Sequence, residues 1–339
     1  MAVEVHQHEQ YRSLRFSTSI ITDRASWMQD RLHTLGQKPL RDLVLPASHD
    51  AGMYHTPFDH ARNQSLSIYE QLRYGIRYFD LRPMWRSQGS RSRFVIHHGR
   101  IAGPNLQTVL DDVRRFANED RRELIILKFS HFQGVDSVKY AWLADQIIRT
   151  IGDWLVQPRP DDQRLADIPL SEFVKDRPAI LVVVDGEFAI RDRRNGIWVY
   201  RNWGAPEEAA RRDDLRVFDR WSNTEMFVRM QNGQLGHFRD YNGRMQHGDR
   251  PCDLFLLSWT LTPRATGIPP WIPPTPLMLS RRANPALGAA IRFEDPPPNP
   301  PPPPQIPNAH GKIINLLYVD YVQGARVTDV ALFQNGESV

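Results

Sequence analysis

Short, almost wholly apolar runs recur along this chain, each bounded by polar or turn-forming residues. Strands that are buried on both faces of a parallel sheet show this pattern, because neither face meets water. The pattern predicts eight strands, at residues 43–46, 76–81, 94–97, 124–129, 179–184, 215–218, 254–259 and 314–319.

Segments with helical spacing lie between several of these runs and predict helices at residues 66–72, 106–116, 140–151 and 224–231. In the second of these helices apolar residues recur at intervals of three and four, and Asn105 precedes them as a cap. Strands that alternate with helices favour the α/β class and a (β/α)8 TIM-type barrel. The segments before the last three strands are less regular, so we expect an irregular barrel or one that lacks a helix.

A single domain over residues 15–335 suits the 339-residue length, with insertions near residues 188–204, 263–276 and 295–307. The first insertion contains the run Ile197-Trp198-Val199-Tyr200 after a charged turn, which predicts a hairpin outside the barrel. The other two insertions are rich in proline, which favours extended loops. Trp271 lies in the second insertion and is either a contact with a bilayer interface or a side chain packed on the barrel.

Composition narrows the classes of partner. Charged residues make up 24% of the chain and hydrophobic residues 41%, as in ordinary globular proteins. The net charge of +4 comes from scattered arginines and not from a basic block, which argues against nucleic acid as a partner. A mild positive charge suits a phosphate-bearing substrate or an anionic lipid surface.

The single cysteine, Cys252, excludes an intrachain disulfide. We also expect the protein to be a monomer. Residues 1–16 lack the pattern of a secretory signal. We therefore expect a cytoplasmic protein if the chain is full length, and a secreted one if a signal has been removed.

Ionisable side chains stand at the ends of four predicted strands or directly after them. Because the carboxyl ends of barrel strands meet at one face, we expect these side chains to lie together. They are His49 and Asp50, Asp80 and Arg82, His97 and His98, and Lys128.

Such a set suits the cleavage of a phosphodiester, which needs a base, an acid and a cation for the phosphate. His49 and His98 fit the base and acid because histidine titrates near neutral pH. Arg82 offers a planar guanidinium that matches phosphate oxygens. The carboxylates that can orient the imidazoles are Asp50, Asp80 and Asp320.

Other interpretations exist for these residues. Arg82 and Asp80 can form an ordinary salt bridge at the barrel rim, and only one of His97 and His98 can face the site, since side chains alternate along a strand. We favour His98, which lies at the strand end. Histidine and aspartate are also metal ligands, but Arg82 and Lys128 would repel a divalent ion, so we predict no metal and no cofactor.

These motifs resemble the X domain of phosphatidylinositol-specific phospholipase C. The resemblance rests on His49-Asp50, on the run from Gly75 to Arg82, on His97-His98-Gly99, on Lys128 and on Tyr318-Val319-Asp320-Tyr321. It covers residues 27–322 and is strongest as far as Lys128. It implies a barrel enzyme that cleaves a phosphodiester. In that reaction the inositol hydroxyl next to the phosphodiester attacks the phosphorus, giving a cyclic phosphate and diacylglycerol.

The resemblance also implies roles for single residues. His49 matches the general base, His98 the general acid, and Asp320 the carboxylate paired with the base. Asp50 and Arg82 match the groups that hold the phosphate, and Asp80 a carboxylate beside the site. Calcium-dependent members carry Asn after the first histidine and acidic residues where Arg82 and Lys128 stand, so this chain resembles the metal-independent bacterial branch.

The expected headgroup site departs from that family. Lys128, Asp219 and Trp221 match positions that contact the substrate, whereas the family's inositol-contacting arginine is missing and Asp185 stands near its place. We therefore predict a phospholipase C type phosphodiesterase, with phosphatidylinositol or a related phosphodiester as substrate and peripheral membrane contact. The alternatives are a soluble phosphodiester or biosynthetic intermediate as substrate, and a lipid-binding barrel without catalysis.

Overall fold

The structure is a computed structural model that describes residues 23–88, 91–158, 164–186, 188, 194, 196–202, 214–246, 253–263, 274–291 and 313–336. Eight strands form a closed barrel: β1 (Leu45–Ser48), β2 (Tyr78–Leu81), β6 (Leu124–Phe129), β7 (Ala179–Asp185), β8 (Ile197–Asn202), β9 (Leu215–Asp219), β10 (Leu254–Trp259) and β11 (Leu316–Val319). Their order around the barrel is β1-β11-β10-β9-β8-β7-β6-β2, and every neighbouring pair is parallel. The predicted TIM-type barrel is thus confirmed.

A second, antiparallel sheet joins β3 (Pro83–Gln88), β4 (Arg91–His98) and β5 (Ile101–Asn105). The prediction that residues 94–97 form a barrel strand is therefore wrong. This run is apolar because Phe94, Val95 and Ile96 are buried, and burial alone does not tell a barrel strand from a hairpin strand.

The barrel contains β8 in place of the predicted strand at residues 94–97. The prediction of a hairpin outside the barrel at residues 197–200 is therefore also wrong. Trp198 and Tyr200 of this strand belong to one buried cluster, whereas Ile197 and Val199 belong to the other. Both faces are covered, as the apolar run required. The charged turn before it had suggested an excursion to the surface.

The helices are α1 (Trp27–Asp30), α2 (Leu32–Leu35), α3 (Ile68–Arg73), α4 (Leu106–Ala117), α5 (Ser137–Ile151), α6 (Leu170–Phe173), α7 (Phe227–Gln246), α8 (Pro276–Ala283), α9 (Leu287–Ala290) and α10 (Val327–Gln334). Four of them, α3, α4, α5 and α7, correspond to the predicted helices, and α7 is much longer than the predicted segment 224–231. Most of the two proline-rich insertions lies outside the described residues, and the domain limits 15–335 stay a prediction. No helix in the described ranges combines the length and apolar character that a bilayer crossing requires.

Alternation along the barrel strands divides the core into two buried clusters. One cluster contains residues that point into the barrel, namely Leu45, Tyr78, Ile126, Leu181 and Leu316 and their equivalents on the other strands. The other takes the residues in between, which pack under the helices. Inward-pointing side chains recur at every second residue, so the last of them in each strand lie at the carboxyl end of the barrel.

The opposite end of the barrel is anchored by a buried ion pair. Arg77 and Glu123 are fully buried, and Nε of Arg77 donates to Oε2 of Glu123 at 2.7 Å. Arg77 also donates to the carbonyl oxygen of Ala25, while Glu123 accepts from the backbone N–H of Gln29. The pair therefore fastens the segment before β1 to strands β2 and β6.

We expect Glu123→Leu to lower the free energy of unfolding by about 3–5 kcal/mol, because it leaves the Arg77 guanidinium buried without a countercharge. Urea denaturation followed by circular dichroism measures the change. The control is Asp111→Ala, which breaks the exposed pair with Arg114 and should cost less than about 1 kcal/mol. Equal losses in the two variants would contradict this account.

Candidate active site

The inward alternation carries ionisable groups to the carboxyl end of the barrel. His49 and Asp320 directly follow β1 and β11, Asp219 is the last residue of β9, and Asp80 and Lys128 are the second-last residues of β2 and β6. Each continues the series of inward positions of its own strand. Strand register alone therefore explains why these groups converge.

His49 is held in one tautomer. Its Nδ1 lies 2.8 Å from Oδ1 of Asp320, and Nη2 of Arg82 lies 3.1 Å from its Nε2. The carboxylate can only accept and the guanidinium can only donate, so Nδ1 carries the hydrogen and Nε2 presents a lone pair. Asn63 donates to the same Asp320 oxygen at 2.9 Å and fixes the carboxylate.

The charge state of His49 follows from these neighbours. Burial would lower the pKa of His49, but the carboxylates of Asp320 and Asp50 outweigh burial and hold the pKa above its ordinary value. The ring also packs edge-on against Tyr318, with 5.0 Å between the ring centroids. Nε2 of His49 is thus a proton acceptor with increased proton affinity.

Asp50 adopts a left-handed backbone conformation, with φ of 42°. Its side chain is fully buried, and Oδ1 lies 2.8 Å from Nε of Arg82. Its Oδ2 lies 3.4 Å from Nε2 of His49 and 3.9 Å from Nε2 of His98. The turn after β1 therefore places one carboxylate between both imidazoles and the guanidinium.

Asp80 orients Arg82 and is itself well satisfied. Its Oδ2 accepts hydrogen bonds from Tyr318 at 2.6 Å and from Arg82 at 3.0 Å, and its Oδ1 accepts one from Ser130 at 3.1 Å. Burial opposes ionisation of Asp80, but Arg82 outweighs it and holds the pKa of Asp80 far below its usual range. Asp50 and Asp80 in turn raise the pKa of Arg82 against the effect of burial.

One donor atom each of His49, Asp50 and Asp80 lies within 4.8 Å of the others, as a cation site would require. The Arg82 guanidinium lies 2.8 Å from Asp50, 2.9 Å from Asp80 and 3.1 Å from His49. A metal ion would have to displace this fixed cation. The donor set therefore fits a guanidinium, and the absence of a metal requirement stays a prediction.

His98 reaches the site from the antiparallel sheet and not from the barrel. Gly52 lies so close to Ile96 of β4 that an added Cβ would come within 2.8 Å of its side chain, so this close packing brings the sheet to the Asp50 turn. The His98 side chain is 31% exposed. Both nitrogens of His97 lie 2.9 Å from carbonyl oxygens, of Gly99 and His131, which makes His97 a structural residue.

Lys128 and Asp219 form a second group in the barrel mouth. Nζ of Lys128 lies 2.9 Å from Oδ2 of Asp219, and Tyr200 donates to the same oxygen at 2.8 Å. Burial would lower the pKa of Lys128, but Asp219 raises it above its usual value. Asp185 ends β7 on the same inward side, and burial raises its pKa. Trp221 is 62% exposed.

Several residues of this network were not predicted. Tyr318 and Ser130 hydrogen-bond to Asp80, Tyr200 to Asp219, and Asn63 to Asp320. Tyr318 and Tyr200 occupy inward positions near strand ends, so the alternation could have found them. Asn63 lies in a loop and carries no local signal.

The carboxyl end of this parallel barrel gathers two histidines, an arginine and carboxylates, which are the groups that the resemblance to phospholipase C led us to expect there. Residues 37–183 match the family described as phosphatidylinositol-specific phospholipase C, X domain. This match covers less than half of the chain and confirms, for this segment, the resemblance seen in the sequence.

The similarity to curated relatives covers only part of this chain. A PI-PLC X-box domain-containing protein of Dictyostelium discoideum is 30% identical over 150 residues, which cover 38% of this chain and 19% of the relative. PI-PLC X domain-containing protein 1 of Homo sapiens is 24% identical over 201 residues, covering 51% of this chain and 60% of the relative. The chain therefore matches less than two thirds of the length of these curated relatives.

Solved structures show the same fold over nearly the whole chain. Phosphatidylinositol-specific phospholipase C from Listeria monocytogenes gives a TM-score of 0.61 at 17% identity, covering 91% of this chain and 99% of that one. A mutant of the Staphylococcus aureus enzyme gives 0.59 at 14% identity, covering 91% and 98%. At such identities the likeness concerns the barrel fold.

The contacts of His49 predict its titration. We expect Asp320→Asn to lower the pKa of His49, because the variant removes a negative charge and a charge-assisted hydrogen bond from Nδ1. NMR titration of the His49 ring measures this pKa in both proteins. Asp111→Asn, a change on the exposed face of α4, serves as the control. An unchanged pKa in Asp320→Asn would mean that Asp320 does not stabilise the imidazolium.

Proposed function

We propose that this protein cleaves phosphatidylinositol, or a related phosphodiester with a neighbouring hydroxyl, to a cyclic phosphate and diacylglycerol. The observation that carries the proposal is the position of Asp50 beside two imidazoles and the Arg82 guanidinium. The Asp50 carboxylate lies 3.4 Å from Nε2 of His49 and 3.9 Å from Nε2 of His98. A base, an acid and a phosphate-binding cation thus meet at one point.

In the first half of the reaction, the headgroup hydroxyl takes the place of Arg82 at Nε2 of His49. Nε2 accepts the hydroxyl proton while the oxygen attacks phosphorus, and Nδ1–H donates to Asp320 throughout. The imidazolium that forms is stabilised by Asp320 and Asp50, the groups that raise the pKa of His49. The displaced guanidinium of Arg82 neutralises charge on the phosphate oxygens.

In the second half, the bond from phosphorus to the glycerol oxygen breaks. Protonated His98 gives its Nε2 proton to that oxygen, so diacylglycerol leaves as an alcohol. One proton enters at His49 and one leaves from His98, and the protonation states of the pair are exchanged. The Asp50 carboxylate lies beside both Nε2 atoms at which these proton transfers take place.

The cation in this proposal is Arg82 and not a metal ion. The guanidinium touches one atom of each potential metal ligand, and Asp80 holds it through two short contacts. Because its charge does not depend on metal supply, we expect the reaction to proceed in the presence of a chelator.

Lys128, Asp219 and Asp185 form the proposed headgroup side of the mouth. The charge of Lys128 is neutralised by Asp219. The carboxyl group of Asp185 therefore determines the net charge on this side of the mouth. Trp221, Met226 and Val228 follow β9, and each of these apolar side chains is more than half exposed. They support peripheral contact with a lipid surface, which suits a phospholipid substrate better than a soluble phosphodiester.

We expect His49→Ala and His98→Ala each to lower kcat by at least about 10²-fold, because each removes one proton-transfer group. Release of cyclic phosphate from phosphatidylinositol vesicles is followed by phosphorus NMR, with and without EDTA. Circular dichroism should show an unchanged fold. His33→Ala, at an exposed histidine on α2, is the control.

Loss of activity in EDTA would contradict the role given to Arg82. Vesicle binding without any product from phosphatidylinositol or soluble glycerophosphodiesters would instead favour a lipid-binding barrel. Product from the soluble esters alone would favour the soluble substrate class.

Asp185 predicts discrimination between headgroups. An extra headgroup phosphate would face the Asp185 carboxylate, so we expect phosphatidylinositol to have a higher kcat/KM at pH 8 than its monophosphorylated form. We expect Asp185→Asn to narrow this ratio by about tenfold, equal to about 1.4 kcal/mol. The two substrates are compared by competition in one assay. An unchanged ratio would place Asp185 outside the headgroup site.

A further inference from the structure

His131 is a third histidine at the mouth of the barrel, and the proposed reaction gives it no part. It lies two residues beyond the end of β6 and is exposed. Its φ is 53°, a left-handed conformation that is uncommon for residues other than glycine. Its carbonyl oxygen lies 2.9 Å from Nε2 of His97, so the backbone here is fastened to the strand that carries His98.

The hydrogen bonds of Ser130 define the tautomer of His131. Oγ of Ser130 lies 3.1 Å from Oδ1 of Asp80 and 2.9 Å from Nδ1 of His131. A hydroxyl group has one hydrogen, and the ionised carboxylate of Asp80 can only accept it. The Ser130 oxygen must then accept from His131, which places the hydrogen on Nδ1.

The other ring nitrogen of His131 is consequently an acceptor. His131 keeps part of its surface in water, but partial withdrawal of the ring from water and the nearby Arg82 charge lower its pKa, which favours the neutral ring with a single hydrogen. With that hydrogen on Nδ1, a lone pair remains on Nε2. No hydrogen bond to Nε2 comes from the described part of the chain, so this nitrogen is available to a ligand.

The charges around His131 indicate what kind of group it can meet. Ser130 links the ring to Asp80 through two hydrogen bonds, so the ring lies at the same mouth as the proposed reaction site, where Arg82 and Lys128 also act on it. A phosphate oxygen is itself an acceptor and cannot bond to a bare Nε2. A cationic group would be repelled by Arg82 and Lys128. The remaining partner is a neutral donor, and a hydroxyl group fits.

We propose that Nε2 of His131 accepts a hydrogen bond from a hydroxyl of a polyol headgroup, in the tautomer that Asp80 and Ser130 impose. The inference rests on the proposed function and adds His131 to the residues that select its headgroup. A site that uses a bare acceptor for a hydroxyl discriminates strongly against analogues that lack it, because the acceptor is then left unpaired.

Nitrogen-15 NMR of the full chain with labelled histidine tests the tautomer without turnover. The resonances of His131 are assigned by their loss in His131→Gln. In the unaltered protein we expect the hydrogen of His131 on Nδ1 and a shift of the Nε2 resonance when myo-inositol is added. In Ser130→Ala we expect a mixture of the two tautomers, because the hydroxyl that accepts from Nδ1 is gone. A hydrogen on Nε2, or an Nε2 resonance that does not respond to myo-inositol, would overturn the proposal.

Calorimetric titration separates the headgroup from the phosphate. We expect His131→Phe to weaken myo-inositol binding about tenfold and to leave inorganic phosphate binding unchanged. His131→Gln, whose amide oxygen can accept, should restore part of the loss, and His33→Ala should change neither ligand. With substrate, KM should rise more than kcat falls.

Three results would overturn the inference: equal effects on both ligands, no effect on either, or no binding of myo-inositol by the unaltered protein. Because these titrations need no catalysis, they are independent of the test of the proposed function. Binding of myo-inositol through His131 without cleavage of phosphatidylinositol would refute the reaction and leave this inference intact.

Discussion

The guanidinium of Arg82 is the interaction on which the mouth of the barrel depends. Three potential ligands of a cation, His49, Asp50 and Asp80, each place an atom within 3.1 Å of it. Burial opposes ionisation of Asp80, but Arg82 outweighs burial and keeps this carboxylate ionised. The same guanidinium lies 2.8 Å from Asp50, and Asp50 in turn lies beside both imidazoles.

Much of this arrangement could be predicted from the sequence because a barrel strand has a strict period of two. Once a run is known to be a barrel strand, the inward series leads from Tyr78 to Asp80 and from Tyr318 to Asp320 without knowledge of tertiary contacts. The same rule recovers Lys128 from β6. Ionised groups at such positions are conspicuous, since they interrupt apolar runs.

Assignment of the runs themselves was less certain, since it depends on long-range pairing. The run at Phe94–Ile96 and the run at Ile197–Tyr200 are equally apolar, yet only the second pairs inside the barrel. Hydroxyl and amide groups were missed for another reason. Ser130 and Asn63 gain their roles from partners that are 50 and 257 residues away in the sequence, and no local pattern marks them.

The position of His98 on the antiparallel sheet has a consequence for how the two imidazoles are spaced. His49 is fixed by the register of the barrel, whereas His98 is fixed by the packing of Gly52 against Ile96. Their separation is therefore an adjustable quantity, set by one small contact outside the barrel. Substitutions along that contact can change the distance between the two imidazoles, while the eight strands and the charged groups at their ends stay as they are.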